Sequence, residues 1–394
     1  MKRSWIAILL ILSIGALLLV KISMPASAAI VPAHARNAAC KGWATVASPN
    51  PGTGSNFLNG VSALSASNIW AVGSYGNGSG SFPLVEHWNG SKWMVISSPT
   101  IKGGSAYTLN GVVALAANNV WAVGAYNNAS NVQQTLIEHW NGSTWGVVAS
   151  PNVASLFNNL TALSAESVKD IWAVGNSSGN NGYQTLIEHW NGSKWSIVAG
   201  SRVGQLNSVT ALAPNNAWAV GNAPGKNSTQ ALIEHWNGSK WSAVASPATG
   251  FFINTLHAIT ALSANNIWAS GDDTNSPAPS ATYSPLVEHW NGSKWSLASS
   301  PLQGTSDFVN GMASVAPNNV WIVGDYRTGF DPMGPYYTLV EHWNGAKWSV
   351  EKSPSPGSIA SDLLAATRVP NTNAIWSVGF IDGSLYQTLT ETGC

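Results

Sequence analysis

The residues with the clearest potential for chemistry are Glu and His side chains that recur side by side in one short segment. Such pairs can supply a general acid and base, or metal ligands, only where several of them converge on one point. Adjacent strand residues point to opposite faces, and equivalent positions of separate repeats lie apart. We therefore predict a buried, hydrogen-bonded network that joins repeats rather than an active site. The segments are Glu86–His87, Glu138–His139, Glu188–His189, Glu234–His235, Glu288–His289, Glu341–His342 and Glu391–Thr392.

A second group of candidate residues lies in two long segments, 271–285 and 324–338, that depart from the repeat. Charged residues make up only 9% of the chain, so carboxylates grouped with Arg and Tyr are conspicuous. Such a group can bind a polar ligand or a cation, and Ca²⁺ prefers clustered carboxylates. The alternative is a solvated loop surface. No cofactor is expected, with calcium as the one possible ion. The predicted ligand-binding residues are Asp272, Asp273, Asp325, Tyr326, Arg327, Asp331, Tyr336 and Tyr337.

Composition excludes several classes of function. Lys+Arg and Asp+Glu number 17 each, which gives no electrostatic reason to bind nucleic acid or an anionic membrane. The sequence contains no Gly-x-Ser-x-Gly elbow, phosphate loop or Cys-x-x-Cys pair. Abundant Gly, Asn, Ser, Thr, Val and Trp favour an all-β protein with many turns.

The N-terminus is predicted to be a secretory signal peptide spanning residues 1–28. Basic Met1–Arg3 precedes the apolar run Ser4–Val20, and Ala26–Ala28 provides a small-x-small cleavage site. The alternative is an uncleaved membrane anchor. Both place the remainder outside the cytoplasm, so we expect a secreted protein with a short linker at 29–39.

A unit of about 50 residues recurs seven times along the chain. Segments like WAVG alternate with segments like EHWNG, and each unit contains four plausible short strands, the first around Val61–Leu64. Asn89-Gly90 predicts a type I′ hairpin between the third and fourth strands. Four antiparallel strands repeated seven times predict a monomeric, seven-bladed β-propeller over residues 40–394, with a solenoid as the alternative.

The two ends of the chain are complementary fragments of one blade. The seventh unit stops at LTETGC, and CKGWATVASP at residues 40–49 aligns with the missing fourth strand. We therefore predict that the N-terminal strand completes the last blade and leaves no free edge. Cys40 and Cys394 flank the interrupted turn, which predicts a disulfide in an exported protein. A lipidated Cys40 is the alternative.

Aromatic residues divide into two sets. Every Trp after the signal peptide occupies a repeat position, which predicts packing between blades. Phe and Tyr instead fall in or beside the loops that join strand two to strand three and one blade to the next. We call the end of the propeller that carries these loops the variable face. Its Tyr, Asn, Ser and Gly content suits a binding surface. The alternative is that the rings only pack at the bases of the loops, which we call the plugging alternative.

The repeats also resemble known families. NGSKW at residues 89–93 resembles the end of the Asp-box hairpin of sialidase-type propellers, and the repeat length is similar to that of kelch-type, galactose-oxidase-like propellers. The Trp in every blade resembles tectonin-like and fucose-binding lectins. The resemblance implies the β-propeller superfamily and assigns no site residue. We expect a non-catalytic module for a glycan or cell-surface ligand. The alternatives are an extracellular hydrolase or lyase with its site near blades five to seven, and a protein-binding scaffold.

Overall fold

A computed structural model of the chain describes residues 42–153, 156–179, 182–226, 228–247, 251–274, 276, 281–329 and 334–394. Contacts divide the chain into Met1–Ala38 and Ala39–Cys394, and the described residues all belong to the second unit. The predicted signal peptide, the linker, Cys40 and Asp331 lie outside the described residues. Within those residues, no helix has the length and apolar character needed to cross a membrane.

The described residues form 28 strands, the number that seven four-stranded blades require. Blade 1 contains β2 (Asn56–Ser65), β3 (Asn68–Asn77), β4 (Gly80–Trp88) and β5 (Trp93–Val95). Blade 2 contains β6 (Ser105–Ala116), β7 (Asn119–Asn127), β8 (Gln133–Trp140) and β9 (Trp145–Val147). Blade 3 contains β10 (Phe157–Ser167), β11 (Asp170–Gly179), β12 (Gly182–Trp190) and β13 (Trp195–Ile197). Blade 4 contains β14 (Gln205–Ala213), β15 (Asn216–Pro224), β16 (Thr229–Trp236) and β17 (Trp241–Val244).

The remaining blades follow the same order. Blade 5 contains β18 (Ile253–Ser263), β19 (Asn266–Thr274), β20 (Ser284–Trp290) and β21 (Trp295–Leu297). Blade 6 contains β22 (Ser306–Ala316), β23 (Asn319–Arg327), β24 (Tyr336–Trp343) and β25 (Trp348–Val350). Blade 7 contains β26 (Ser361–Arg368), β27 (Ile375–Ile381), β28 (Gln387–Gly393) and β1 (Ala44–Thr45). Within each blade, neighbouring strands pair antiparallel in chain order, and β1 pairs with β28.

The first three strands of each blade are longer than the sequence pattern predicts. In blade 1, β2 and β3 pair from Ser65–Asn68 out to Asn56–Tyr75, well beyond the apolar segment that begins at Val61. Apart from one buried aliphatic residue, Leu58 in blade 1, the extensions are mostly polar and aromatic, so apolar alternation does not mark them. They carry the paired backbone into the variable face, which is therefore built largely from strand ends.

The predicted type I′ hairpin is wrong in its details. Trp88 pairs with Trp93, so four residues, Asn89 to Lys92, connect the strands. The Asn89 Oδ1 accepts hydrogen bonds from the Ser91 and Lys92 N–H groups at 3.0 and 3.1 Å. Gly90 has a φ of +95°, whereas Asn89 is not among the non-glycine residues with positive φ. The Asn side chain thus stabilises the longer loop, and only Gly takes the left-handed conformation.

Tryptophan packing joins each blade to the next, as predicted. At all seven junctions, a Trp of the fourth strand meets the second-strand Trp of the preceding blade edge to face, with centroids 5.1–5.7 Å apart. The fourth-strand Trp Nε1 atoms are buried and have no hydrogen-bond partner among the described residues. Edge-on contact is the geometry in which a ring N–H or C–H meets a π face, which accounts for these donors.

The Glu of each repeat joins blades through a hydrogen bond from the linker that leaves the preceding blade. Ser98 Oγ, which follows blade 1, donates to Glu138 of blade 2 at 2.7 Å. Blade 4 is the exception, because Gly200 replaces the Ser and the Ser201 N–H donates to Glu234 at 3.1 Å. The other donor and acceptor pairs are Ser48–Glu86, Ser150–Glu188, Ser246–Glu288, Ser300–Glu341 and Ser353–Glu391.

The His of each repeat contributes within its own blade. His87 Nε2 lies 3.0 Å from Asn68 Oδ1, and its ring lies 4.4 Å from that of Trp70 in the same blade. Burial lowers the pKa of His87, so its imidazole is neutral at pH 7. The predicted network is therefore divided: Glu connects blades, and His positions the tryptophan that the next blade contacts.

The junction between the chain ends has the same construction as the other blades. Ala44 pairs with Thr392 and Thr45 with Glu391, and the Trp43 ring meets that of Trp321 at 5.6 Å. Within the described residues no cysteine is free. Because Cys40 lies outside them, its pairing with Cys394 stays a prediction.

Candidate functional site

The innermost strands of the blades surround a cavity of about 220 Å³. In each blade the pairing of the first two strands slips by one residue at a β-bulge, as between Leu58 and Gly60. A bulge re-aims the extra side chain, and the bulged residues, with their immediate neighbours, line this cavity. They are Asn59, Asn110, Thr161, Asn207, His257, Asn310 and Leu364.

Most of these side chains hydrogen-bond the next blade. Asn59 Nδ2 donates to the Leu109 carbonyl at 2.9 Å, and Asn110 Nδ2 donates to the Leu160 carbonyl at 2.8 Å. Equivalent bonds follow from Thr161 to Leu206, from Asn207 to Leu256 and from Asn310 to Leu363. Within the described residues, this series of hydrogen bonds to the next blade does not continue from His257 in blade 5 or from Leu364 in blade 7.

His257 forms a pair with a predicted ligand residue, Asp272. The His257 Nε2 lies 3.0 Å from Asp272 Oδ2, and the Val309 N–H of blade 6 donates to Asp272 Oδ1 at 2.8 Å. The carboxyl group thus orients the imidazole and also joins blades 5 and 6. A carboxylate-oriented His at a cavity wall has the arrangement of a general base.

Further carboxyl groups lie near Asp272 in blades 6 and 7. Burial, and then the nearby Asp362 carboxyl, raise the pKa of Asp325 well above its usual value. Burial raises the pKa of Asp362 to about 7, although a hydrogen bond from Asn310 opposes the shift. Burial raises the pKa of Asp307 as well, although its carboxyl accepts the Gln303 and Gly304 N–H groups. The sequence argument missed Asp307 and Asp362 because they lie on first strands rather than in the long segments.

Of the remaining predicted carboxyl groups, Asp273 lies within the described residues and Asp331 does not. Asp273 is buried, and burial followed by the Asp272 charge raises its pKa to about 6. Within the described ranges, no three His, Cys, Asp or Glu side chains are arranged to hold a metal ion. Asp331 lies outside those ranges, so a calcium site that includes it stays a prediction.

The predicted Arg and Tyr residues form an aromatic stack on blade 6. The Arg327 guanidinium carbon lies 5.2 Å from the centre of the Phe308 ring and 5.5 Å from that of Tyr336. The Tyr336 backbone N–H donates to the Ile359 carbonyl of the linker into blade 7 at 2.9 Å, and burial raises the pKa of its hydroxyl. Cation–π contact on two faces holds the guanidinium in place. Tyr326 and Tyr337 are paired directly on the adjacent strands β23 and β24, and their rings lie 5.5 Å apart.

Tyr336 also lines a cavity of about 530 Å³ between blades 6, 7 and 1. Tyr386 forms another wall, and Ile359 and Leu385, 57% and 46% exposed, also line the cavity. The Asp382 carboxylate accepts the Ile359 and Ala360 N–H groups at 2.9 and 2.8 Å, which fixes the loop. The cavity thus combines apolar walls with phenol hydroxyls on ordered backbone, the usual composition of a ligand site.

A second aromatic cluster supports this cavity from behind. The rings of Phe57, Phe380 and Tyr386 lie 5.1–5.3 Å apart pairwise, across blades 1 and 7. The Asn56 N–H donates to the Tyr386 carbonyl at 2.8 Å. At Tyr107 the ring packs at the base of a loop, since Tyr107 is 2% exposed and its hydroxyl bonds to Ile101. Tyr336 and Tyr386 instead line the cavity between blades 6, 7 and 1.

Comparison with known proteins supports the fold and leaves the activity open. The sequence matches no family model and no curated protein sequence. Among solved structures, YCF48 bound to a D1 peptide is 17% identical with a TM-score of 0.53, covering 92% of this chain and 98% of that chain. The GH74 enzyme from Niastella koreensis is 15% identical with a TM-score of 0.53, covering 88% and 55%. The GH74 xyloglucanase from Xanthomonas campestris is 13% identical with a TM-score of 0.52, over the same shares.

The chain spans about half the length of the two GH74 proteins and nearly the whole of YCF48. At these identities the likeness concerns architecture alone. The chain has the fold of the β-propeller superfamily.

Proposed function

We propose that the chain is a secreted, monomeric, seven-bladed propeller, closed by its N-terminal strand, that binds a glycan or another cell-surface ligand through its variable face. The observation that carries the proposal is the cavity of about 530 Å³ whose walls include Tyr336 and Tyr386. Phenol rings supply apolar area with a hydrogen-bonding hydroxyl, which suits a ligand with both C–H and O–H surface. The Arg327 guanidinium stacked on Tyr336 adds a fixed positive charge beside it.

The structural neighbours agree with a binding role without deciding the ligand. One is described in complex with a peptide and others are polysaccharide-degrading enzymes. We favour a glycan because the cavity is lined by aromatic and hydroxyl groups.

A glycan array tests the proposal. We expect saturable binding that a soluble competitor sugar abolishes, and we expect Tyr336→Ala and Tyr386→Ala to weaken it about tenfold or more, as truncation of an aromatic anchor does. Tyr183→Ala is the matched control, because Tyr183 is an exposed aromatic of blade 3, 49% exposed and away from the cavity. Binding that no sugar displaces would instead favour the protein-binding scaffold.

The second candidate function is a hydrolase or lyase, and the His257–Asp272 pair favours it. Its test is turnover of a polysaccharide panel with and without added divalent cation. Loss of turnover in His257→Ala, Asp272→Ala and Asp325→Ala would support the enzyme. Tyr183→Ala is again the control, because Tyr183 is an exposed residue of blade 3 that lines neither cavity. Absence of turnover with intact glycan binding supports the binding module.

A further inference from the structure

Opposite the variable face, each blade ends in the short turns that join strand one to strand two and strand three to strand four. We call this end of the propeller the turn face. The two kinds of turn are neighbours, because a Cβ atom at Gly90 would lie 2.8 Å from that of Ser67. In five blades the turn between strands three and four has a Lys directly before the fourth-strand Trp. These residues are Lys92, Lys194, Lys240, Lys294 and Lys347.

These five lysines are exposed side chains on ordered backbone. The Lys92 N–H donates to Asn89 Oδ1 at 3.1 Å, and the Lys240 N–H donates to Asn237 Oδ1 at the same distance. Among the residues that the structure describes, the ion pairs involve none of these lysines. Their ammonium groups are therefore available to a partner outside the chain.

The other charged groups of the turn face leave its charge positive. Lys169 lies in the turn between β10 and β11, Arg368 ends β26, and both side chains are exposed. The acidic side chains described at this end are Glu166 and Asp170, and Asp170 Oδ1 lies 2.7 Å from His189 Nε2. The turn face thus carries a clear excess of cations over anions.

The balance of charges in the sequence conceals this excess. Basic and acidic residues number 17 each, but seven of the acidic residues are the repeated Glu residues, which are 0% exposed. Burial raises the pKa of Glu86 to about 8, so this carboxyl is largely protonated at pH 7. Most of the other carboxyl groups, such as Asp272, Asp325 and Asp362, lie on the variable face. A net charge of zero therefore coexists with a cationic end and does not argue against an anionic partner.

Half-buried indoles accompany the lysines. In the first six blades the third-strand Trp directly precedes the turn, as Trp88 precedes Asn89. The Trp88 Nε1 donates to the Ala66 carbonyl at 3.1 Å, and the Trp343 Nε1 donates to the Pro317 carbonyl at 3.2 Å. Indole rings favour the interface between a bilayer and water, where Lys side chains reach the headgroups. This combination favours a lipid surface over a soluble polyanion.

The chain enters the propeller at the turn face. The first described residue, Gly42, directly precedes Trp43 and β1, in the turn that blade 7 completes. Residues 1–41 therefore join the propeller at this end. The predicted linker, or the membrane anchor that is the alternative to the signal peptide, is attached here. The basic residues that follow the apolar run in this segment are Lys21, Arg36 and Lys41.

We propose that the turn face docks on an anionic phospholipid bilayer and that the variable face is directed away from it. The lysines occupy equivalent turns at one end of the propeller, so a flat surface can contact several of them at once. Each Lys close to an anionic bilayer raises the binding constant about fivefold. The attraction extends over about 8 Å at physiological ionic strength, so added salt weakens it. Docking requires no ligand on the variable face and is independent of the proposed glycan site.

Vesicle sedimentation of the exported protein tests the docking. We expect binding to vesicles of phosphatidylcholine mixed with phosphatidylglycerol, weaker binding to phosphatidylcholine alone, and loss of this difference at high salt. The double variant Lys240→Gln, Lys294→Gln should bind the anionic vesicles about 25-fold more weakly, because two attractions are lost. The matched control is Lys102→Gln, Lys226→Gln, which removes the same charge from exposed positions of the variable face and should bind normally.

A gain of binding separates the lysines from any change in folding. Blade 2 has Thr144 at the Lys position, and its N–H makes the same bond to Asn141 Oδ1, at 3.0 Å. Thr144→Lys should bind anionic vesicles about fivefold more tightly, whereas Thr100→Lys, on the variable face, should not. Equal losses in the two double variants, unchanged affinity in Thr144→Lys, or equal binding to both kinds of vesicle would overturn the inference. Binding to heparin without binding to vesicles would also overturn it.

Discussion

Between neighbouring blades, a fourth-strand Trp meets a second-strand Trp at 5.1–5.7 Å in all seven junctions, and a Glu accepts a hydrogen bond from the preceding linker. On the variable face, the Arg327 stack on Phe308 and Tyr336 and the cluster of Phe57, Phe380 and Tyr386 each occur once. Both regions use aromatic rings on ordered strands. Repetition marks the rings that hold the propeller together, and we propose that the non-repeated rings recognise a ligand.

The largest expected effect is on a repeated tryptophan. Trp145→Ala removes a buried ring that meets Trp70 edge to face, so the free energy of unfolding should fall by about 3–5 kcal/mol. Chemical denaturation measures it. A loss as small as that of a surface substitution would show that the repeated tryptophans do not hold the blades.

The closure of the chain comes next. If Cys40 and Cys394 are bonded, Cys394→Ser should lower the free energy of unfolding by about 2–5 kcal/mol, because the bond restricts a long loop of the unfolded chain. Thiol titration of the exported protein should find no free cysteine. Two titratable thiols in the native protein would contradict the bond, although the β1–β28 pairing would stand.

The repeated Glu residues predict an unusual pH dependence. Burial raises the pKa of Glu86 from 4.5 to about 8 and that of Glu138 to about 7. Between the unfolded and folded pKa values the folded protein binds more protons than the unfolded chain. Their contribution to stability is therefore complete below about pH 4.5 and is lost as pH rises toward 8, by about 1.4 kcal/mol per pH unit for each extra bound proton. Thermal unfolding across this range measures the slope, and Glu138→Gln should flatten it. A rise in stability from pH 5 to pH 8 would contradict the assignment.

A smaller effect is expected where one hydrogen bond between blades is removed. Ser98→Ala leaves the Glu138 carboxyl without its donor and should cost about 1–3 kcal/mol at pH 7. Ser150→Ala removes the equivalent bond to Glu188 and should cost a similar amount. A clear difference between the two would show that the junctions are not equivalent.

The smallest effect on stability is expected on the variable face. Tyr386→Ala removes a ring that is 39% exposed, so the free energy of unfolding should change by less than about 1 kcal/mol. Ligand binding should be lost in the same variant. A loss comparable with that of Trp145→Ala would assign Tyr386 to the scaffold. Denaturation and binding are measured on the same preparation.

The repeat could be predicted from sequence because its chemistry is local. The Trp positions align Trp43 with Trp93, and the structure pairs Ala44 with Thr392 and Thr45 with Glu391, the register that this alignment requires. The hairpin type was not predictable from Asn-Gly, because the Asn89 side chain stabilises a longer loop. Strand ends beyond Leu58 were missed because polar extensions lack apolar alternation.

The candidate site was less predictable, since it depends on bulges and on partners distant in sequence. Asp272 was identified, but its use in orienting His257 and joining Val309 follows only from the structure. Asp307 and Asp362 lie at strand starts, where a single Asp carries no signal of burial.

We propose that ligand recognition belongs to the non-repeated face of blades 6, 7 and 1. The most direct test of this claim is calorimetric titration of the tightest array glycan into the unmodified protein, Tyr336→Ala and Tyr183→Ala. We predict that Tyr336→Ala binds about tenfold more weakly or worse with an unchanged unfolding midpoint, and that Tyr183→Ala binds normally. Unchanged affinity in Tyr336→Ala, or equal losses in both variants, would contradict the claim.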